Sequence, residues 1–567
     1  MIADSPAWRT SSTTLSSRLS AYISLVLLLL PAFSNAQYYW VQFQDKNNSP
    51  YSVDRPSEFL SLKSIGRRAR QGIAVNATDF PVNPEYRAQI LNQDNVKLHH
   101  ASKWLNGLAV ESSDSNSIKA IIDLPFVREV KALYIPLDGK KLQTFQSNKF
   151  EDDELTVPFQ YGLAQGQIEM FNLQALHSKG LYGEGIWIGV FDSGFNLVDT
   201  IDHFDHLYKE ERLVSQHDFV DKDDSDLGIH NHGRLVLSCM AAFSQGKIIG
   251  SAPKAMYSLF RTEDAASERL IEEINWVAAA EMADSMGIDI FNTSLGYTRF
   301  SNDTGGVDEL TSWTWDDLDG NTSYITRGAD MAAQKGILVV NSAGNSGSNS
   351  WKYIGMPADG DSVLAIGATD SSRWRSGFSS FGRGSDARVK PNVMAQGSYV
   401  YVSGLDSNGN SMVGFNFGTS FSSPLTAGAA ACLWQANPDL TAWELKSIIE
   451  ESSTQFNYPD TIHGYGIPDF GKAYELATQQ EEFSSKLFPN PSDGIVHLKY
   501  FLPENGDLEL EIFDISGKKT ESKKFFGYKG KNIQSFDFSN LSSGLYLLKL
   551  KNVFFQEVLR LELLPKE

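Results

Sequence analysis

Three residues whose types can together carry out acyl transfer stand at the ends of apolar runs, in the chain order Asp192, His232, Ser420. Ser420 lies in Gly418-Thr419-Ser420-Phe421-Ser422-Ser423-Pro424, directly before the small-residue run Leu425 to Trp434, which reads as a buried helix. The spacing puts Ser420 near the helix N-terminus, and Pro424 suits a first helical turn. Backbone N–H groups and the positive dipole end at that position stabilise a developing oxyanion. Taken alone, Gly-Thr-Ser is better explained by a serine N-cap; the residues upstream decide otherwise. Asp192 closes the apolar stretch Gly189-Val190-Phe191, and His232 stands at the mouth of a helix beginning Gly233-Arg234-Leu235. A single strand-end Asp is commonly a cap, and a single His commonly a surface or core residue. All three in this order supply what a serine nucleophile needs: a base that titrates near neutrality, His232, and a carboxylate, Asp192, that fixes its tautomer. Asn345, in Ser342-Ala343-Gly344-Asn345-Ser346-Gly347 after a further apolar run, is either a turn residue or a side-chain donor to the oxyanion beside the Ser420 N–H.

These residues need a scaffold that delivers them to one edge. From about residue 160 to 475 apolar strand candidates (186–191, 288–291, 337–341, 363–366) alternate with helical stretches (268–286, 325–335 and the run after Ser420). Such alternation predicts an α/β fold with a parallel sheet covered by helices on both faces, its functional residues at the carboxyl ends of strands.

Five motifs of this region carry a family resemblance. Gly189-Val190-Phe191-Asp192-Ser193-Gly194, His232-Gly233, Asn292-Thr293-Ser294-Leu295-Gly296, Ala343-Gly344-Asn345 and Gly418 to Pro424 resemble those of the subtilisin-like serine endopeptidases, whose triad order is Asp, His, Ser. The resemblance implies a subtilisin-like sheet, catalytic Asp192, His232 and Ser420, an oxyanion hole of Asn345 and Ser420, and substrate-lining Ser294, Leu295 and Gly296. It implies an acyl-enzyme mechanism that requires no cofactor, with structural calcium an option. Arg234 stands where the family usually has Thr, and Phe421-Ser422-Ser423 replaces the usual Met-Ala-x.

The flanks divide the chain further. A basic start, the apolar run Ala21 to Phe33 and Ser34-Asn35-Ala36 form a signal peptide, residues 1–36. Residues 37–150 read as a small α+β unit, with strands at 38–43 and 103–111 and a helix at 117–122. Residues 155–475 follow as the peptidase region, after the linker Glu151-Asp152-Asp153-Glu154. Residues 484–567 read as a β-sandwich opened by Phe488-Pro489-Asn490-Pro491. The first unit resembles a subtilase propeptide at Trp104-Leu105-Asn106-Gly107 and Leu124-Pro125-Phe126-Val127. The last resembles the sorting domain of type IX secretion in Bacteroidetes at Ile512 to Gly517 and Leu541 to Leu547. The implied partners are protein or peptide substrates, the chain's own propeptide and the secretion machinery, and the implied destination is outside the cell or on its surface.

Composition sets outer bounds. The 567 residues carry a net charge of −20, which excludes the basic face that nucleic acid binding needs. The two cysteines, Cys239 and Cys432, sit in apolar segments and read as buried small side chains; their pairing is not decided by sequence. Acidic loops at Asp221 to Asp226 and Asp316 to Thr322 have the style of calcium loops or of solvated charge. Tyr297, Phe300, Trp313 and Trp315 form either a cleft rim or core. A catalytically inactive binding protein of the same fold is the rival reading; it requires a triad member to be absent or misplaced.

Overall fold

The computed structural model describes residues 37–134, 159–225, 227–228, 230–301, 307–308, 311–383, 388–483, 485–492, 494–502, 504–528, 530–552 and 556–564. The signal segment 1–36, the linker Glu151 to Glu154 and Asp226 lie outside the described residues.

The N-terminal unit is built on a four-stranded antiparallel sheet. Its elements are β1 (Gln37–Phe43), α1 (Leu62–Arg70), α2 (Pro84–Leu91), β2 (Val96–Ser102), β3 (Gly107–Ser112), α3 (Ser115–Ile122) and β4 (Val127–Tyr134), in strand order β2-β3-β1-β4. The strand expected over 103–111 begins only at Gly107, because Asn106 turns the chain with φ 54°. The period-2 alternation of strands splits the sheet between two cores. Val41, Phe43, Leu108 and Val110 pack with α3, whereas Trp40, Ala109 and Leu133 join the core of the next unit.

That next unit is built on seven parallel strands: β5 (Trp187–Asp192), β6 (Leu213–Asp218), β7 (Met256–Arg261), β8 (Ile290–Thr293), β9 (Leu338–Ser342), β10 (Leu364–Thr369) and β11 (Val393–Gln396), in the order β11-β10-β9-β8-β5-β7-β6. Four helices matter for the site: α4 (His232–Ala241), α5 (Ile271–Met286), α6 (Tyr324–Gln334) and α7 (Thr419–Ala436). Ile188, Val190, Ile290 and Val340 face α4 and α7, while Phe191, Phe291 and Val339 face α5 and α6. Both faces are therefore covered, and the strands are apolar throughout. The same alternation turns Asp192 toward the α4 and α7 side, with Ile188 and Val190. Small side chains let α7 press close: a Cβ on Gly428 would stand 2.0 Å from Ser251 Oγ. Pro424 is the sixth residue of α7, in its second turn rather than its first.

After helix α8 (Phe470–Phe483) come β12 (Lys486–Phe488), β13 (Ile495–Leu502), β14 (Gly506–Asp514), β15 (Lys519–Gly527), β16 (Gly530–Asp537), β17 (Gly544–Lys551) and β18 (Gln556–Leu563). They form two antiparallel sheets, β12-β13-β16 and β15-β14-β17-β18, closed over Val496, Leu498, Leu510, Ile512, Leu548 and Leu550.

The N-terminal unit is clamped to α5 by buried ions. Asp284 on α5 accepts from Arg67 at 2.5 Å and from Arg68 at 2.8 Å, and Arg68 also reaches Asp79 at 2.9 Å. Glu281, one turn earlier, accepts from the Ser102 hydroxyl at 2.5 Å and from the N–H groups of Lys103 and Trp104 at 2.7 and 2.9 Å. Two imidazoles complete the seam: His99 Nε2 meets Asn275 Oδ1 and His100 Nε2 meets the Phe219 carbonyl oxygen, each at 2.9 Å. Burial, helped by Lys222, holds His99 down to about 4. Burial, His99 and Lys222 hold His100 down to about 3, against the pull of its backbone acceptor.

Removing Arg68 leaves Asp284 and Asp79 buried with fewer counter-charges. Arg68→Ala in a Ser420→Ala background is expected to destabilise the chain by about 3–5 kcal/mol in denaturant unfolding, and an unchanged midpoint contradicts the clamp. The two histidines set a pH dependence. Folded, they stay neutral down to pH values where the unfolded chain, with imidazoles near ~6.5, already binds protons, so stability falls as pH drops through that interval. Thermal unfolding of the same background from pH 8 to 4 should show this fall, and His100→Gln should make it shallower; equal slopes would contradict it.

Candidate active site

Asp192 is the last residue of β5 and has no exposed surface. Its Oδ1 receives the Ser193 N–H at 2.8 Å and faces His232 Nδ1 at 2.8 Å. His232 is the first residue of α4, and Gly233 explains how it comes so near. A Cβ at Gly233 would lie 2.7 Å from both the Asp192 Cβ and the Gly194 carbonyl oxygen, so only glycine permits the approach. With Nδ1 committed to the carboxylate, Nε2 is the nitrogen left for proton transfer. Burial disfavours the imidazolium, but the charge and hydrogen bond of Asp192 outweigh it, and the His232 pKa is raised above its ordinary value.

The imidazole lies over the start of α7, its ring centroid 5.9 Å from that of Phe421. Ser420 is the second residue of α7, 8% exposed, and its hydroxyl donates to the Ser294 carbonyl oxygen at 3.3 Å. The position of Pro424 accounts for the reverse contact. Proline has no N–H, so the Ser420 carbonyl, four residues earlier, loses its helical partner. The Ser294 hydroxyl replaces it at 2.9 Å. Ser420 and the segment after β8 are thus tied twice. Leu295 is held in turn by Asn341 Nδ2, which donates to its carbonyl at 3.1 Å. Gly296 follows it with open space, where a Cβ would meet nothing nearer than 3.8 Å.

Asn345 sits three residues past β9. Its Oδ1 accepts the Thr419 N–H at 2.9 Å and the Thr419 hydroxyl at 3.0 Å. Two donors on Oδ1 fix the amide orientation and leave Nδ2 as the free donor. That nitrogen is 3.3 Å from where a Cβ on Gly418 would stand, and Gly418 has φ 141°. The Ser420 N–H is among the first-turn groups that no helical carbonyl takes. Asp192, His232, Asn345, Ser294, Leu295, Gly296 and Ser420 therefore converge on one edge of the sheet.

Other expectations sort themselves. Arg234 is buried and donates to the Asn196 carbonyl oxygen at 2.8 Å, packing the loop after β5. The cysteines are both buried thiols, and Cys432 Sγ donates to the Ser251 carbonyl oxygen. Tyr297 and Phe300 are core, Trp313 donates to Glu273 at 2.6 Å, and only Trp315 of that aromatic group is well exposed. The carboxylates of the acidic loops are engaged locally. Asp221 pairs with Arg261, Asp224 with His217, and Asp319 with the N–H groups of Asn321 and Thr322. Sequence reasoning missed Thr419, which orients Asn345, and the pair formed by Ser193 Oγ and His230 Nδ1 at 2.6 Å. Their adjacency to Ser420, Asp192 and His232 was the available signal.

Comparison with known proteins agrees with this architecture. The subtilase family model matches residues 183–466, half of the chain. A Peptidase S8 propeptide domain of Bacteroidota matches 38–149, and a secretion system C-terminal sorting domain matches 486–559. Subtilisin DY of Bacillus licheniformis is 29% identical over 301 residues, 53% of this chain and 93% of the relative. An alkaline protease of Alkalihalobacillus alcalophilus is 26% identical over 335 residues, 58% of this chain and 74% of the relative. The fold is shared with an epidermin leader peptide processing serine protease of Staphylococcus aureus. That structure superposes with a TM-score of 0.51 at 16% identity, covering 79% of this chain and 99% of that one. The chain belongs to the subtilase family: it is a subtilisin-like serine endopeptidase carrying a family propeptide and a C-terminal secretion sorting domain.

Proposed function

We propose that Ser420 is the nucleophile, His232 its general base and acid, and Asp192 the group that orients and stabilises the imidazolium. The observation that carries this reading is the 2.8 Å pairing of His232 with a fully buried Asp192 beside the first turn of α7. Rotation about the Ser420 Cα–Cβ bond takes its hydroxyl from the Ser294 carbonyl toward His232 Nε2. Ser420 Oγ then attacks the peptide carbonyl while its proton passes to Nε2, and the amine leaves with that proton. Water, deprotonated by His232, releases the acyl group. Asn345 Nδ2 and the Ser420 N–H hold the oxyanion, and Ser294, Leu295 and Gly296 line the non-primed side of the peptide. This chemistry requires no cofactor.

The proenzyme is exported with a signal peptide, residues 1–36, which is removed. Residues 37–150 restrain the peptidase region, 155–475, until the linker at Glu151 to Glu154 is cut. Residues 484–567 engage the type IX machinery, so the enzyme acts on proteins or peptides outside the cell or on its surface. The buried clamp on α5 supports the restraining role.

Labelling with a fluorophosphonate probe tests the assignment: the processed protein should react and Ser420→Ala should not, whereas equal labelling of both overturns it. Asn345→Ala should lower kcat by about 10²–10³-fold with little change in KM, the loss measured for the corresponding donor in a subtilisin. Because Asp192 raises the His232 pKa, kcat/KM should fall as pH drops through that raised value. Asp192→Asn should move this acid limb to lower pH and cut kcat by about 10⁴-fold. An acid limb unmoved by Asp192→Asn would contradict the pairing.

A further inference from the structure

Beside the catalytic edge, three glutamates gather where no role has been assigned. Glu263 follows β7, Glu268 lies in the loop to α5, and Glu272 is in the first turn of α5. Each offers a carboxylate oxygen within 4.8 Å of the others. The charges that act on Glu263 are Glu268, Asp192 and Asp264, and Glu268, Glu263 and Asp264 act on Glu272. Burial first, then this mutual repulsion, pushes Glu263 and Glu272 well above the ordinary carboxylate range, and burial brings Glu268 up to about 7. Glu272 Oε1 accepts from the Ser267 hydroxyl and the Arg269 N–H, each at 3.2 Å.

A second observation is independent of the carboxylates. Tyr297, two residues past Leu295, is completely buried, and its hydroxyl has no hydrogen-bond partner among the described residues. The charges that bear on that phenol are, in order, Glu263, Glu272, Glu268 and Glu273, so it is aimed into the cluster. Glu272 Oε2 and Thr262 Oγ1 are likewise buried without partners. Buried polar groups are rarely left unpaired, and among the described residues the Tyr297 hydroxyl and Glu272 Oε2 are both left so beside this cluster.

We infer that Glu263, Glu268 and Glu272, with the Tyr297 hydroxyl beside them, form a calcium site. The donor set is oxygen only, which suits a hard cation. Two oxygens on one Ca²⁺ at ~2.4 Å stand at most ~4.8 Å apart, and these carboxylate oxygens lie within 4.8 Å of one another. The ion joins the end of β7, the start of α5 and the segment after β8. The first of these is bonded to the triad, since the Thr262 N–H donates to the Asp192 carbonyl oxygen at 3.0 Å. The second carries the propeptide clamp on Asp284 and Glu281, and the third contains the substrate-lining residues. Calcium therefore stiffens the mount of Asp192 and of Leu295 together.

The test is calorimetric titration of CaCl₂ into chelator-stripped, full-length Ser420→Ala protein, beside the same protein carrying Glu268→Gln or Tyr297→Phe. Glu268→Gln removes one charge at a half-buried position, and Tyr297→Phe removes only a hydroxyl. Unfolding in EDTA, unchanged by either, establishes that both fold. Expected are one Ca²⁺ lost or weakened by at least about tenfold in Glu268→Gln, weaker binding in Tyr297→Phe, and loss of the calcium-induced rise in Tm. No Ca²⁺ binding by the parent, or identical binding by parent and variants, overturns the site. So does unchanged binding together with a raised KM for peptides bearing basic side chains when Glu268→Gln is placed in the enzyme that retains Ser420, which assigns the cluster to a substrate cation instead.

Discussion

A single carboxylate governs this protein's catalytic edge. Asp192 is wholly buried at the end of a central strand, and its charge is tolerated because His232 and the Ser193 N–H meet it at hydrogen-bond distance. The rest of the edge follows from that placement. The pleat of β5 directs Asp192 toward the face that carries α4 and α7, so the histidine and the serine have to come from the N-termini of those two helices. Gly233 lets α4 approach, and Gly428 lets α7 press against Ser251 in the segment between α4 and β7.

The geometry around Ser420 illustrates how a local defect becomes a device. Pro424 deprives the helix of one hydrogen bond, and the orphaned carbonyl is that of Ser420, the proposed nucleophile. Ser294 satisfies it, so the proposed nucleophile and the segment after β8 share that bond. Asn345 is held in the same manner, with Thr419 occupying its oxygen so that its nitrogen is left for the oxyanion role proposed above. Neither arrangement has to form during catalysis, which is the condition under which fixed dipoles lower a barrier.

Much of this was legible in the sequence because the relevant signals are local. β5, β8, β9 and β10 read as strands since they are buried on both faces and therefore continuously apolar. β6 was missed: Leu213 to Asp218 is an edge strand, alternately half-buried and exposed, and its polar residues mask it. β7 was missed because Ser258 and Arg261 interrupt its apolar run, although both are buried in the structure. Lys103 to Asn106 looked like strand because Trp104 and Leu105 are apolar, yet they cover the interface with α5 from a turn. Pro424 was placed one turn too early, as the helix start is set by Asn345 and Thr419, which lie 74 residues apart. The glutamate cluster was equally invisible, since its members come together only when Tyr297 and the β7 end are brought to α5.

The central claim is that the Asp192–His232 pair exists to make Ser420 a nucleophile toward peptide carbonyls. Acid quench of the processed enzyme during turnover of an activated peptide ester, followed by proteolytic mapping and mass spectrometry, tests it directly. The account predicts one acyl group on the peptide containing Ser420, formed in a burst and absent in Ser420→Ala. An acyl group on another residue, or turnover with no trapped acyl-enzyme and no burst, would contradict it.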